Sequence, residues 1–104
     1  MRARFNQVAI SVADREASLA FYRDLFDLTH VGGTHFSGKS TEAVQGMAGA
    51  SSNCSWLMDD RPYFQFEIFQ FDCPLGRTLA TNRQPQDIGY SRLIFSVPAL
   101  DPVA

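Results

Sequence analysis

The chain is 104 residues long with 45% hydrophobic and 19% charged residues, the composition of one globular domain. Nine Phe, three Tyr and one Trp supply enough apolar surface to offset the entropy lost on folding, which excludes a disordered tail. Nine Lys+Arg against 11 Asp+Glu give a net charge of -2 without a basic run, which argues against a nucleic-acid partner.

No apolar run approaches the roughly 18 residues that a membrane span needs. Met1-Arg2-Ala3-Arg4-Phe5 leads into a strand-like pattern instead of a signal-peptide core, so a cytoplasmic protein without membrane contact is expected. Cys54 and Cys73 form no CxxC and have no flanking His, which fits two reduced structural thiols.

Phe5 to Val12 alternates, with Val8, Ile10 and Val12 on one face and Gln7, Ala9 and Ser11 on the other, the pattern of a half-buried strand. Asp14 is positioned to cap a helix from Arg15 to Phe26, whose Ala17, Phe21, Leu25 and Leu19, Tyr22, Phe26 recur at helical spacing. That apolar stripe would cover the Val8/Ile10/Val12 face. Leu28 to Val31 reads as a strand closed by a Gly32-Gly33 turn, and Ser40 to Met47 as a short helix that Gly46 and Gly49 keep from extending.

Ser55 to Met58 is a third strand, Asp59-Asp60-Arg61-Pro62 a turn, and Tyr63 to Phe71 the strongest strand of the chain. Phe64, Phe66, Ile68 and Gln70 share one face of that strand. Tyr63, Gln65, Glu67, Phe69 and Phe71 share the other, so Glu67 is a mid-strand carboxylate among aromatics and needs a partner. After a loop rich in Pro, Gly and Asn, Ser91 to Val97 resumes a strand pattern, with Leu93, Phe95 and Val97 opposite Arg92, Ile94 and Ser96.

An internal repeat links the two ends. FNQVAISVADRE from Phe5 and YSRLIFSVPALD from Tyr90 both place an aromatic first, apolar residues fourth, fifth, sixth and eighth, Ser seventh and an acid twelfth, with Gln7 and Arg92 equivalent. Such repetition implies two similar modules, a first over residues 1–85 and the opening strand of an incomplete second over residues 86–104.

The string GTHFSGKS, Gly33 to Ser40, satisfies the phosphate-cradling pattern GxxxxGK[ST], in which Lys39 and turn amides would wrap phosphates and Ser40 would hold Mg²⁺. Its context argues against nucleotide binding, because the following segment meets Gly46 too soon to form a crossover helix. His30 and His35 flank a Gly-Gly pair with no ligand set beside them and read as surface residues.

Taken in order, FNQVAISVADREASLAFYRDLFDL, EAVQGMAG, FQFEIFQFDCPLGR and DIGYSRLIFSVPALD resemble the vicinal oxygen chelate superfamily of glyoxalases, bleomycin-resistance proteins and extradiol dioxygenases. The resemblance implies an α+β fold: a βαβββ module with a mixed, curled sheet, plus the first strand of a second module. It also implies pairing with a second module or a second copy, as in a homodimer, around a shared cavity. Gln7 and Glu67 fall on the metal-ligand positions of the first module, for a divalent Zn, Ni, Fe or Mn ion. Gln is a known occupant of the first position in glyoxalase I enzymes, and Glu67 is the catalytic candidate.

Arg92 falls where the second module supplies a His ligand. A guanidinium has no free lone pair and repels a cation, so the metal site reads as degraded, with Arg92 paired to Glu67 in its place. The ligand-binding candidates are then Gln7, Arg92, Gln65, Phe69 and Ser96, and the expected function is binding of a small organic ligand in a β-sheet cavity. The alternative is a divalent-metal-dependent lyase, isomerase or dioxygenase.

Overall fold

Alternation along the strands settles which residues face the helix. In the computed structural model, which describes residues 1–89 and 92–100, the elements in order are β1 (Gln7–Ser11), α1 (Arg15–Phe26), β2 (Thr29–Phe36), α2 (Lys39–Gln45), β3 (Ser51–Met58) and β4 (Gln65–Cys73). Asp14 is extended and its Oδ1 accepts from the Ala17 amide at 3.1 Å, which starts α1 at Arg15. Asp27 ends it in the left-handed conformation at φ 54°. Among the described residues no helix is long and apolar enough to cross a membrane.

The sheet has the order β1-β4-β3-β2, with β1 parallel to β4 and the other pairs antiparallel. One face carries Val8, Ile10, Leu57, Phe66 and Ile68, and Leu19 and Tyr22 of α1 pack onto it to form the core. The first turn of α1 is pinned to that face by polar contacts. The Arg15 amide donates to Gln70 Oε1 at 2.8 Å and Arg15 Nη1 donates to Ser55 Oγ at 2.7 Å. Phe21 and Leu25, expected on the buried stripe, are on the outer side of the helix, 53% and 37% exposed. Burial follows the Leu19–Tyr22–Phe26 side because Arg15 fixes the rotation of the helix over β3 and β4.

The expected fold class needs three corrections. First, the short helix expected from Ser40 to Met47 forms as α2 (Lys39–Gln45) between β2 and β3, so the order is βαβαββ instead of the βαβββ that the resemblance implies. Second, the sheet is open, with β1 and β2 as separate edges, and is not curled. Four strands are too few to close on themselves, and with only one face packed by a helix nothing bends the sheet around a cavity. Third, residues 92–97 form no strand. The Phe95 ring stacks on Phe26 at 4.3 Å and 5° and lies 6.3 Å from Tyr22, so its apolar alternation is used against the helix without a ladder partner. Tyr90, Ser91 and residues 101–104 lie outside the described residues, and with them the first, second and twelfth positions of the repeat.

Two further boundaries moved. β2 continues through Gly32 and Gly33, where a turn is expected, with a register shift between His30 and Gly32, because both glycines pair with β3 at Trp56 and Ser55. That places Gly33 to Phe36 of the GTHFSGKS string inside a β ladder, and Gly38 to Ser40 at the start of a seven-residue helix between antiparallel strands. β3 also starts earlier than expected, at Ser51.

Leu57, fully buried between α1 and the strands, is the sensitive point of this core. Leu57→Ala is expected to lower unfolding free energy by about 2–5 kcal/mol, read as a fall in urea midpoint. Val44→Ala, at a residue 83% exposed on α2, should change it by less than about 0.5 kcal/mol.

Candidate functional site

The face of the sheet turned away from α1 gathers the chemistry. Its central row runs across all four strands as Ala9, Glu67, Trp56 and Gly32. A second row is Ser11, Phe69, Cys54 and Thr34, and a third is Phe71, Ser52 and Phe36. At the other end Gln7 pairs with Gln65. Period-two alternation puts all of these on one side, because Cα partners across a ladder share a face.

Glu67 is half-buried, and Trp56 Nε1 donates to its Oε2 at 2.7 Å. The indole reaches across because Gly32 leaves room for it. A Cβ at Gly32 would come within 3.2 Å of Trp56 Cε3, so the six-membered side of the ring lies over the glycine while its N–H meets the carboxylate. Gly33 serves the same strand pair differently, since a Cβ there would stand 2.5 Å from the Cys54 carbonyl oxygen. The Phe69 ring lies 6.1 Å from both Phe36 and Phe71, nearly parallel to each.

The side chains expected to act together divide into two groups. Gln7, Gln65, Glu67 and Phe69 share the face, and Gln7 Nε2 donates to Gln65 Oε1 at 2.8 Å. Arg92 does not join them: it lines a shallow pocket of about 240 Å³ with Arg83, Gln84 and Pro85, and no ion pair joins it to Glu67. Ser96 lies on the other side of the sheet, in a cavity of about 630 Å³ bounded by Val8, Phe26, Leu57, Phe66 and Phe95. That cavity therefore belongs to the helix side, and Glu67 stands on the opposite face.

Trp56 is the site residue that sequence reasoning missed. Its strand was expected, but its partner depends on the β3–β4 register, which the intervening turn decides. The one usable signal was a single Trp at an alternating position in a strand next to one bearing a lone carboxylate.

Two neighbours are buried by this arrangement. Ser52 Oγ has no hydrogen-bond partner among the described residues. Burial pushes the Cys54 thiol pKa up, and nearby Glu67 adds to this, against a weaker lowering by the Thr34 backbone and Arg15. Cys54 should accordingly carry less thiolate at neutral pH than an ordinary cysteine. Cys73 is exposed.

Among the described residues no group of three or more His, Cys, Asp or Glu is arranged to hold a metal. Among the described residues Gln7 Oε1 and Glu67 Oε1 have no hydrogen-bond partner, and both are oxygen donors of the kind hard cations accept. They supply part of a coordination shell, and further donors would have to come from elsewhere.

Thiol titration of the native chain with a disulfide reagent at pH 8 should modify Cys73 rapidly and leave Cys54 protected until denaturant is added. Equal rates would contradict the burial of Cys54. Gly32→Ala should displace the indole, seen as a shift of the single Trp emission, with little loss of far-UV signal.

No family model and no curated protein matches the chain. Among solved structures, a glyoxalase family protein from Bacillus cereus superimposes with a TM-score of 0.87 at 18% identity, over 99% of this chain and 68% of that one. Agreement at that identity is agreement of fold, and it bears out the fold resemblance carried by the sequence motifs: the chain adopts the fold of a glyoxalase family protein over nearly its whole length.

Proposed function

We propose that the chain binds a small organic molecule on the Glu67 face of its sheet, with a second copy or a second module completing the enclosure. The observation that carries this is the placement of Glu67: mid-sheet, on the face that α1 does not cover, one oxygen held by Trp56 and the carboxylate flanked by aromatic rings. A polar anchor fixed in an apolar surround is the usual make-up of a small-molecule site. The glyoxalase-type fold supports the same placement, since the resemblance assigns the ligand side of the module to the residues of β1 and β4 that include Gln7 and Glu67.

In this proposal the chain binds its ligand without a resident metal, because among the described residues no group of three or more His, Cys, Asp or Glu stands on this face beside Gln7 Oε1 and Glu67 Oε1. The second reading is a divalent-metal-dependent lyase, isomerase or dioxygenase. It is favoured by those same two oxygens sharing one face, with the remaining ligands supplied by a second copy or module. In that case a bound Zn, Ni, Fe or Mn ion would polarise a substrate oxygen, and Glu67 would hold the ion or accept a proton.

Metal content after incubation with Zn, Ni, Fe or Mn and desalting separates the two. The proposal expects no stoichiometric metal in either the unaltered protein or Glu67→Gln. Stoichiometric metal lost in Glu67→Gln would establish the second reading. Binding itself is read from the indole N–H signal of Trp56, the single Trp, in a heteronuclear NMR spectrum. Flat aromatic probes such as 2-naphthol should move it saturably, and a signal unmoved by every probe would remove the proposal.

A further inference from the structure

Among the described residues Glu67 has no ion-pair partner. Trp56 Nε1 is its hydrogen-bond partner, and the ion pairs formed among the described residues are Arg15–Glu16, Arg23–Asp24 and Arg61–Asp59. Arg15, below the same strands, is committed to Ser55 Oγ on the helix side and to Glu16. Arg92 lies with Arg83 in a separate pocket. A half-buried carboxylate with one neutral donor and no cation is an arrangement that a protein keeps at a cost unless something else brings the positive charge.

Resting on the binding site proposed above, we infer that its ligand brings that charge as an organic cation, an ammonium or amidinium group attached to a flat aromatic body. Trp56 occupies Oε2 and lies on the β3 side of Glu67. On the β1 side the neighbour in register is Ala9, an exposed residue whose side chain is only a methyl, so approach to the second oxygen is open there. An amidinium presents coplanar N–H donors to that oxygen, and Gln7 Oε1, two residues along β1, is a second acceptor on the same face. The rings of Trp56 and Phe69 supply faces for the aromatic body and add attraction for a nearby cation. Carboxylate and phosphate ligands are disfavoured because among the described residues no Lys or Arg stands in the rows of this face.

Trp56 is a positioning residue in this arrangement. By holding Oε2 it fixes the carboxylate plane, so the free oxygen faces one direction instead of sampling rotamers. A metal ion differs as an occupant because it is usually held by three or more protein ligands, and among the described residues no group of three His, Cys, Asp or Glu is arranged to hold one.

The test uses three isosteric probes on the full chain: benzamidine, benzamide and benzoate, followed by ligand-observed NMR and by the Trp56 indole signal. Benzamidine should bind at least about tenfold more tightly than benzamide, and the advantage should shrink with salt, as expected for a charge-assisted contact. Benzoate should not bind measurably. Glu67→Gln should reduce benzamidine to the affinity of benzamide while leaving benzamide unchanged, which shows that the variant is folded. Trp56→Phe keeps a ring but removes the donor. It should weaken benzamidine several-fold and leave benzamide nearly unchanged, a selective loss that a purely structural role would not give.

Equal binding of all three probes would overturn the cation assignment and leave the small-molecule site standing. Displacement of benzamidine by a divalent metal ion alone would replace the organic cation with a metal. Binding of none of them, with no response to neutral aromatics either, would remove both.

Discussion

The parallel pairing of β1 with β4 is the constraint on which the rest of the molecule depends. It sets Val8 beside Phe66 and Ile10 beside Ile68, which makes one continuous apolar face for α1. By the same period-two geometry it sends Gln7, Ala9, Gln65 and Glu67 to the opposite side. A slip of one residue in that register would bury Glu67 under the helix and expose Ile68, an exchange of a free hydrophobe for an unpaired buried charge. The core and the candidate site are therefore two consequences of one alignment, and neither can be altered without disturbing the other.

Around that alignment the face away from α1 is built by close approach. Gly33 lets the β2 backbone come against Cys54, and Gly32 clears the space in which the Trp56 ring lies. The indole then joins β3 to β4 through a side-chain hydrogen bond that supplements the backbone ladder. Cys54 and Ser52, in the neighbouring rows of the same face, are buried, and among the described residues the Ser52 hydroxyl has no hydrogen-bond partner. These choices favour a flat, exposed platform over a densely packed second core. The other polar cluster of the sheet, in which His35 Nδ1 meets Asn53 Oδ1 and Asn53 Nδ2 donates to Asp72, sits on an exposed end of β2, β3 and β4 and links the three strands.

The segment 92–97 shows how a correct local pattern can serve a different neighbour. Its alternation of Leu93, Phe95 and Val97 is real, and Phe95 is used as an apolar anchor, but against Phe26 of α1 and not within a sheet. Period-two hydrophobicity specifies which side of a segment seeks burial. It does not specify whether a strand edge is available to pair with it. The same gap separates Arg92 from Glu67: equivalence within a repeat says that two residues belong to similar local units, and only the placement of those units decides whether the side chains meet.

Local chemistry alone determined a good deal of this protein. Asp14 as the cap and the start and end of α1 were legible because capping and helical spacing act within a few residues. The division of β4 into a Phe66/Ile68 face and a Glu67/Phe69 face was legible because alternation is a backbone property. The ordered motifs pointed to the glyoxalase-type fold that the structure shares. Tertiary structure decided the rest. It carried β2 through the Gly32-Gly33 pair, where glycine permits a turn but ladder pairing with Trp56 and Ser55 favours extension. It left the sheet open, because closure depends on what covers the second face. It also gave Glu67 the indole of Trp56 as partner instead of Arg92, because that contact depends on cross-strand register, which no single segment of sequence contains.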